Sequence, residues 1–93
     1  MRLYRLEIED KAERNLRDLP GRIQQEVTQI LLDLRHDPYP PESEVLEREY
    51  GDLRKIKIDG WRILYKVYEQ DRVVKVALIG PRNADTYRQI FGD

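Results

Sequence analysis

The spacing of apolar residues changes period along the chain. Residues 3–8 alternate, with Tyr4, Leu6 and Ile8 against Leu3, Arg5 and Glu7, which predicts a strand with one buried face. From Asp10 the period becomes helical: Ala12, Leu16 and Leu19 line one side, and Asp10 is the expected N-cap. Pro20-Gly21 interrupts. Ile23, Val27, Ile30, Leu31 and Leu34 then form a second helical stripe opposite Gln24, Gln25, Thr28, Asp33 and Arg35, with an end expected near His36. These two segments predict a helical hairpin.

The stretch 37–43, Asp-Pro-Tyr-Pro-Pro-Glu-Ser, predicts a stiff loop. Two strand-like runs follow, 53–58 and 61–68, separated by Asp59-Gly60, a strong signal for a type I′ hairpin turn. Asp71 marks another turn. Val73 to Ile79 is a third strand, ended by Gly80-Pro81, with room for a short helix over 84–91 carrying Tyr87, Ile90 and Phe91. The predicted class is α+β, in the order β-α-α-β-β-β. Strands that follow a helical pair imply an antiparallel sheet with helices on one face.

Composition narrows the classes. Ninety-three residues suit a single domain over 1–93, and 40% apolar against 38% charged is a globular balance. The absence of cysteine excludes disulfides and cysteine-based zinc sites. No apolar run is long enough to span a bilayer and no signal-peptide core is evident, so the expected location is the cytoplasm. Net charge is −1, yet residues 1–49 carry 8 Lys/Arg against 12 Asp/Glu, whereas residues 50–93 carry 9 against 6. Positive charge therefore gathers on the predicted strands, and a local basic patch can bind phosphate whatever the total.

A two-residue turn fixes the hairpin register. Ile58 then faces Trp61, Lys57 faces Arg62, Ile56 faces Ile63, Lys55 faces Leu64, and Arg54 faces Tyr65. One face carries Ile58, Trp61, Ile56, Ile63, Arg54 and Tyr65, and is the core face. The other carries Lys57, Arg62, Lys55, Leu64 and Lys66, a cationic platform. Like charges directly opposite on a sheet are destabilising, so Lys57 facing Arg62 is a local cost that phosphate binding would explain. Lysine and arginine are also common on any solvated sheet face. Arg54 falls on the core face, where pairing with a carboxylate at the core edge is its alternative. Arg82, just after the third strand, can point at a ligand or be an ordinary loop cation. Tyr87, Trp61 and Tyr65 fit core packing, and His36 fits a helix C-terminus.

From Tyr4 to Phe91 the chain resembles the RelE/ParE toxin superfamily. The resemblance rests on Leu19-Pro20 in the helical hairpin, the Leu34–Pro38 exit, Leu53-Arg54-Lys55-Ile56-Lys57-Ile58, Gly60-Trp61-Arg62-Ile63-Leu64-Tyr65 and Ile79-Gly80-Pro81-Arg82. It implies a toxin neutralised by an antitoxin. The RelE-like branch cleaves messenger RNA in the ribosomal A site, and the ParE-like branch inhibits DNA gyrase. The active-surface positions of the RelE-like branch fall on Lys55, Lys57, Arg62, Arg82 and Tyr87. Arg54 and Lys66 are the expected accessory RNA contacts. Thr86 precedes Tyr87, where the Glu/His acid–base variant of the family has histidine, and the pI of about 5.9 is low for ribosome binders.

In the RelE-like reading, the ribose 2′-OH attacks the adjacent phosphate without metal or cofactor. Lys57 is the candidate general base, because its cationic neighbours disfavour the ammonium form. Arg62 and Arg82 stabilise developing charge, Lys55 supplies a proton or holds phosphate, and Tyr87 orients RNA. The competing expectations are a gyrase-binding inhibitor and an inactive family member. The expected partners are the antitoxin with ribosome and message, or the antitoxin with gyrase.

Overall fold

The computed structural model describes residues 2–46 and 52–81. The elements are β1 (Arg5–Ile8), α1 (Asp10–Asp18), α2 (Gly21–Asp33), β2 (Ser43–Val45), β3 (Arg54–Ile58), β4 (Trp61–Tyr68) and β5 (Val73–Pro81). The final helix expected over 84–91 lies outside the described residues.

Both helices form where the periodicity places them. Asp10 is the first helical residue rather than the cap. Glu9 takes that position in an extended conformation, without a side-chain bond to the helix. Asp10 and Glu13 instead set negative charge in the first turn, where the helix dipole favours it. Leu19, which precedes Pro20, is extended, as the proline ring demands of its predecessor. Gln24 Nε2 donates to Leu16 O at 2.9 Å and pins the helices together across this break. Ala12, Leu19, Ile23, Val27, Leu31 and Leu34 pack on Ile56, Ile63, Tyr65, Val74, Val76 and Ile79 to make the core.

The five strands run in the order β1-β5-β4-β3-β2. β3 to β5 are antiparallel, as expected, and the additional strand β2 is antiparallel to β3, but β1 pairs with β5 in parallel, Arg5 with Val73 through Ile8 with Val76. The long connection that a parallel partner needs runs through the helical hairpin and then β2, β3 and β4. β2 arises from the end of the segment expected to be loop. Ser43, Glu44 and Val45 pair with Ile56, Lys55 and Arg54, and Leu46 N–H continues the ladder to Leu53 O at 2.9 Å. The β4–β5 ladder shifts register between Leu64 and Tyr65.

Among the described residues, helices cover only one face of this sheet. On the other, Leu46, Leu53, Leu64 and Leu78 gather in a second small apolar cluster against Ala77. Leu64, expected on an open platform, is thereby wholly buried.

A polar hub closes the end of the helix-covered side. Glu69, in the β4–β5 turn, accepts hydrogen bonds from Tyr4 Oη at 2.8 Å and from the Tyr39 hydroxyl. These bonds hold the Glu69 carboxyl below its ordinary range, with Tyr39 the larger influence. Burial, then the bond to Glu69, push the Tyr39 hydroxyl up to about 12. The Arg72 guanidinium lies over the Tyr4 ring at 4.2 Å. Tyr65 Oη, fully buried, donates to Pro38 O at 2.8 Å and anchors the proline loop to the sheet.

Candidate functional site

The β3–β4 turn decides which side chains share a face. Asp59 and Gly60 both have positive φ, 42° and 82°, the geometry of a type I′ turn. The resulting register sets Ile58 opposite Trp61, Lys57 opposite Arg62, Ile56 opposite Ile63, Lys55 opposite Leu64 and Arg54 opposite Tyr65. Every pair matches the expectation from the turn alone.

Lys55, Lys57 and Arg62 thus meet on the sheet face away from the helices. Lys57 is exposed, Lys55 is half-buried, and Arg62 is only 5% exposed. Nη1 of Arg62 donates to Trp61 O at 3.2 Å, and no carboxylate among the described residues pairs with this guanidinium. A buried arginine without a counter-ion is costly, and an incoming phosphate would satisfy it. Across β5 its register partner is Gly80, so no side chain stands beside it there.

The structure adds a residue that the sequence did not single out. Glu44 of β2 lies beside both lysines, with Oε2 4.0 Å from Lys55 Nζ and Oε1 3.9 Å from Lys57 Nζ. The site is therefore a carboxylate, two ammonium groups and a guanidinium in a row across three strands. The only sequence signal for Glu44 was its position in a three-residue edge strand, obscured by the prolines before it.

Arg54 projects to the opposite face. Its Nη2 donates to Ser43 Oγ at 2.8 Å and its guanidinium lies 5.1 Å from the centre of the Tyr39 ring, a hydroxyl and an aromatic partner rather than the expected carboxylate. Lys66 shares the face of Lys57 but stands further along β4, over the Tyr68 ring at 5.1 Å. Arg82 and Tyr87 lie outside the described residues. Among the described residues no cluster of histidine and carboxylate groups could hold a metal ion, and no helix is long and apolar enough to cross a membrane.

This fold recurs in solved toxin structures. The archaeal RelE–RelB complex of Pyrococcus horikoshii is 26% identical, with a TM-score of 0.77 over 88% of this chain and 98% of that one. The Mycobacterium tuberculosis toxin–antitoxin complex RelBE2 is 25% identical, with a TM-score of 0.76 over 86% and 99%. A free-state arginine double mutant of E. coli RelE is 24% identical, with a TM-score of 0.79 over 96% and 95%, a likeness of fold. No curated protein sequence matches. The family described as "ParE toxin of type II toxin-antitoxin system, parDE" matches residues 6–86, nearly the whole chain. The chain belongs to that toxin family, within the RelE/ParE superfamily of type II toxin–antitoxin systems.

Proposed function

We propose that this toxin is a ribosome-dependent, metal-independent endoribonuclease that cleaves messenger RNA by 2′-OH attack. The observation that carries the reading is the buried guanidinium of Arg62, without a carboxylate partner among the described residues, directly opposite Lys57, with Lys55 on the same face. Such a row suits a phosphodiester whose charge grows in the transition state.

The 2′-oxygen bonds to phosphorus, the bond from phosphorus to the 5′-oxygen breaks, and a 2′,3′-cyclic phosphate and a 5′-hydroxyl result. Arg62 stabilises the non-bridging oxygens. Lysine accepts a proton only as the free amine, and Lys57 has Glu44 as its counter-ion. A carboxylate needs no prior deprotonation at neutral pH, so Glu44 is the readier acceptor of the 2′-OH proton. Lys57 then holds phosphate, and Lys55 supplies the proton to the departing 5′-oxygen. Arg82 and Tyr87 complete the site by resemblance alone.

The match to the ParE family favours a second reading, a non-enzymatic inhibitor of DNA gyrase. Either way the partner is a cognate antitoxin, as in the RelE–RelB and RelBE2 complexes, and the cytoplasm is where both targets lie. Primer extension on translated messages, after induced expression in a bacterial host, separates the readings. Cuts within translated frames that disappear in Arg62→Ala support the ribonuclease. Growth arrest without cuts, together with loss of gyrase supercoiling by the purified toxin, overturns it in favour of the inhibitor.

A further inference from the structure

The outer sheet face carries a second cationic cluster, set apart from Arg62 by the buried Leu64 and Leu78. Lys66 of β4 stands directly opposite Lys75 of β5. Like charges in that relation oppose folding, and no carboxylate among the described residues lies within ion-pair distance of either ammonium. Both instead sit over the Tyr68 ring, at 5.1 Å and 5.7 Å from its centre. Tyr68 is 37% exposed at the end of its strand. Beside it opens a shallow hollow of about 190 Å³, lined by Arg5, Glu7, Tyr68, Asp71, Val73 and Lys75. The Glu7 carboxylate there is already engaged by Arg5 at 2.8 Å.

We propose that Lys66, Tyr68 and Lys75 form a binding site for single-stranded RNA, separate from the candidate cleavage site, in which one base stacks on Tyr68 and the lysines hold the flanking phosphates. Single-strand binding surfaces combine an aromatic platform with cations that follow the backbone, and all three groups are present here within one patch. A weak cation–π contact at an exposed ring exchanges readily for a phosphate, which frees the ring face for the base. The carboxylate of Asp71 on the rim suits a base edge that presents an amino group. An acidic peptide would use the two lysines and leave the aromatic ring without a role. Along β4, Lys66 is four residues from Arg62, roughly 13 Å at strand spacing, so RNA held here lies beside the cleavage site rather than in it. The choice of RNA as occupant rests on the ribonuclease reading.

The test is fluorescence anisotropy with a labelled ten-nucleotide 2′-O-methyl RNA, which cannot be cleaved, at low salt. The proteins compared are wild type, Tyr68→Leu, the double variant Lys66→Gln/Lys75→Gln, and Lys57→Gln/Arg62→Gln, each checked for folding by its melting curve. Tyr68→Leu is expected to weaken binding on the order of tenfold. The Lys66/Lys75 double variant should flatten the dependence of log affinity on log salt by about 1.4, two phosphate contacts at roughly 0.7 each. Wild-type affinity in both patch variants overturns the inference. If the Lys57/Arg62 variant alone then loses binding, the ribonuclease reading stands without the patch. If only the patch variants lose binding, the patch stands and the cleavage site loses its RNA. No binding by wild type overturns the patch outright. So does loss of affinity for a poly-glutamate decamer, but not for RNA, in the patch variants, which would make the surface a protein-docking site.

Discussion

Lys57 and Arg62 stand directly opposite one another across the β3–β4 hairpin, the first exposed and the second buried. Their repulsion and the nearby Glu44–Lys57 ion pair act in opposite directions on stability. Each is worth less than about 1 kcal/mol at a sheet surface. Lys57→Gln removes both, so its urea unfolding free energy should stay within about 0.5 kcal/mol of wild type. Cleavage of translated message should fall by about 10²-fold or more. A stability loss above about 2 kcal/mol with retained cleavage would make the lysine a structural residue.

Tyr65 offers a different measurement. Its hydroxyl is the buried donor to Pro38 O, and burial raises its pKa above the ordinary tyrosine value. Tyr65→Phe keeps the ring and strands the carbonyl of a loop that leads into β2. The expected cost is about 1–2 kcal/mol in urea unfolding. The same change should leave the spectroscopic signature of the helices intact, because the core ring is unchanged.

The hub at Glu69 predicts a pH dependence. The folded-state pKa of Glu69 is lowered, so its contribution is present above the unfolded value, near 4.3 for an ordinary glutamate. It is lost as pH falls through the folded value. Tyr39 has the opposite sign. Its folded value is raised to about 12, so its contribution is full below the ordinary tyrosine value of 10.0 and fades as pH rises toward 12. Melting temperature against pH should therefore fall at both ends. Glu69→Gln keeps an acceptor but not the charge, and should reduce the slope at both ends. Tyr39→Phe should reduce the alkaline slope and weaken the acid one by removing the larger influence on Glu69. An unchanged profile in Glu69→Gln would remove the hub from the pH response.

Gly60 tests the turn itself. A methyl group there would meet no atom within 4 Å, so only the backbone conformation, φ 82°, opposes a side chain. Gly60→Ala should cost about 1–2 kcal/mol. Because the turn sets the register that puts Lys57 opposite Arg62, a larger loss of cleavage than of stability would indicate slippage of the strands.

The β3–β4 hairpin was fully legible in the sequence, because Asp59-Gly60 is a local signal and everything beside it follows from alternation. The stripe Ile23, Val27, Leu31 and Leu34 was legible for the same reason: helical periodicity acts within a few residues. What was not legible depends on distant partners. β2 is a strand only because Ile56, Lys55 and Arg54 are there to pair with it, and nothing in Ser43-Glu44-Val45 announces this after three prolines. Glu44 entered the site with that strand. The parallel pairing of β1 with β5 and the meeting of Tyr4, Tyr39 and Glu69 join segments far apart along the chain. The burial of Leu64 depends on Leu46 and Leu53, which stand seven positions apart in the sequence, on either side of residues 47–52. Alternation placed Leu64 on the correct face but could not show that the face has its own apolar cluster.

The position of β5 between β1 and β4 has a consequence for the timing of synthesis. Of the strands in this sheet β1 is made first, and the strand that flanks it is made last. About 65 residues separate Ile8 from Val73, which is roughly 3–13 s of translation. During that interval the segments of the helices and of β2, β3 and β4 are synthesised, while the sheet lacks the strand that joins β1 to β4. Val74, Val76 and Ile79 of the core are still absent. Until β5 is made, neither β1 nor β4 has the partner strand that joins them, so the sheet closes only with its last strand.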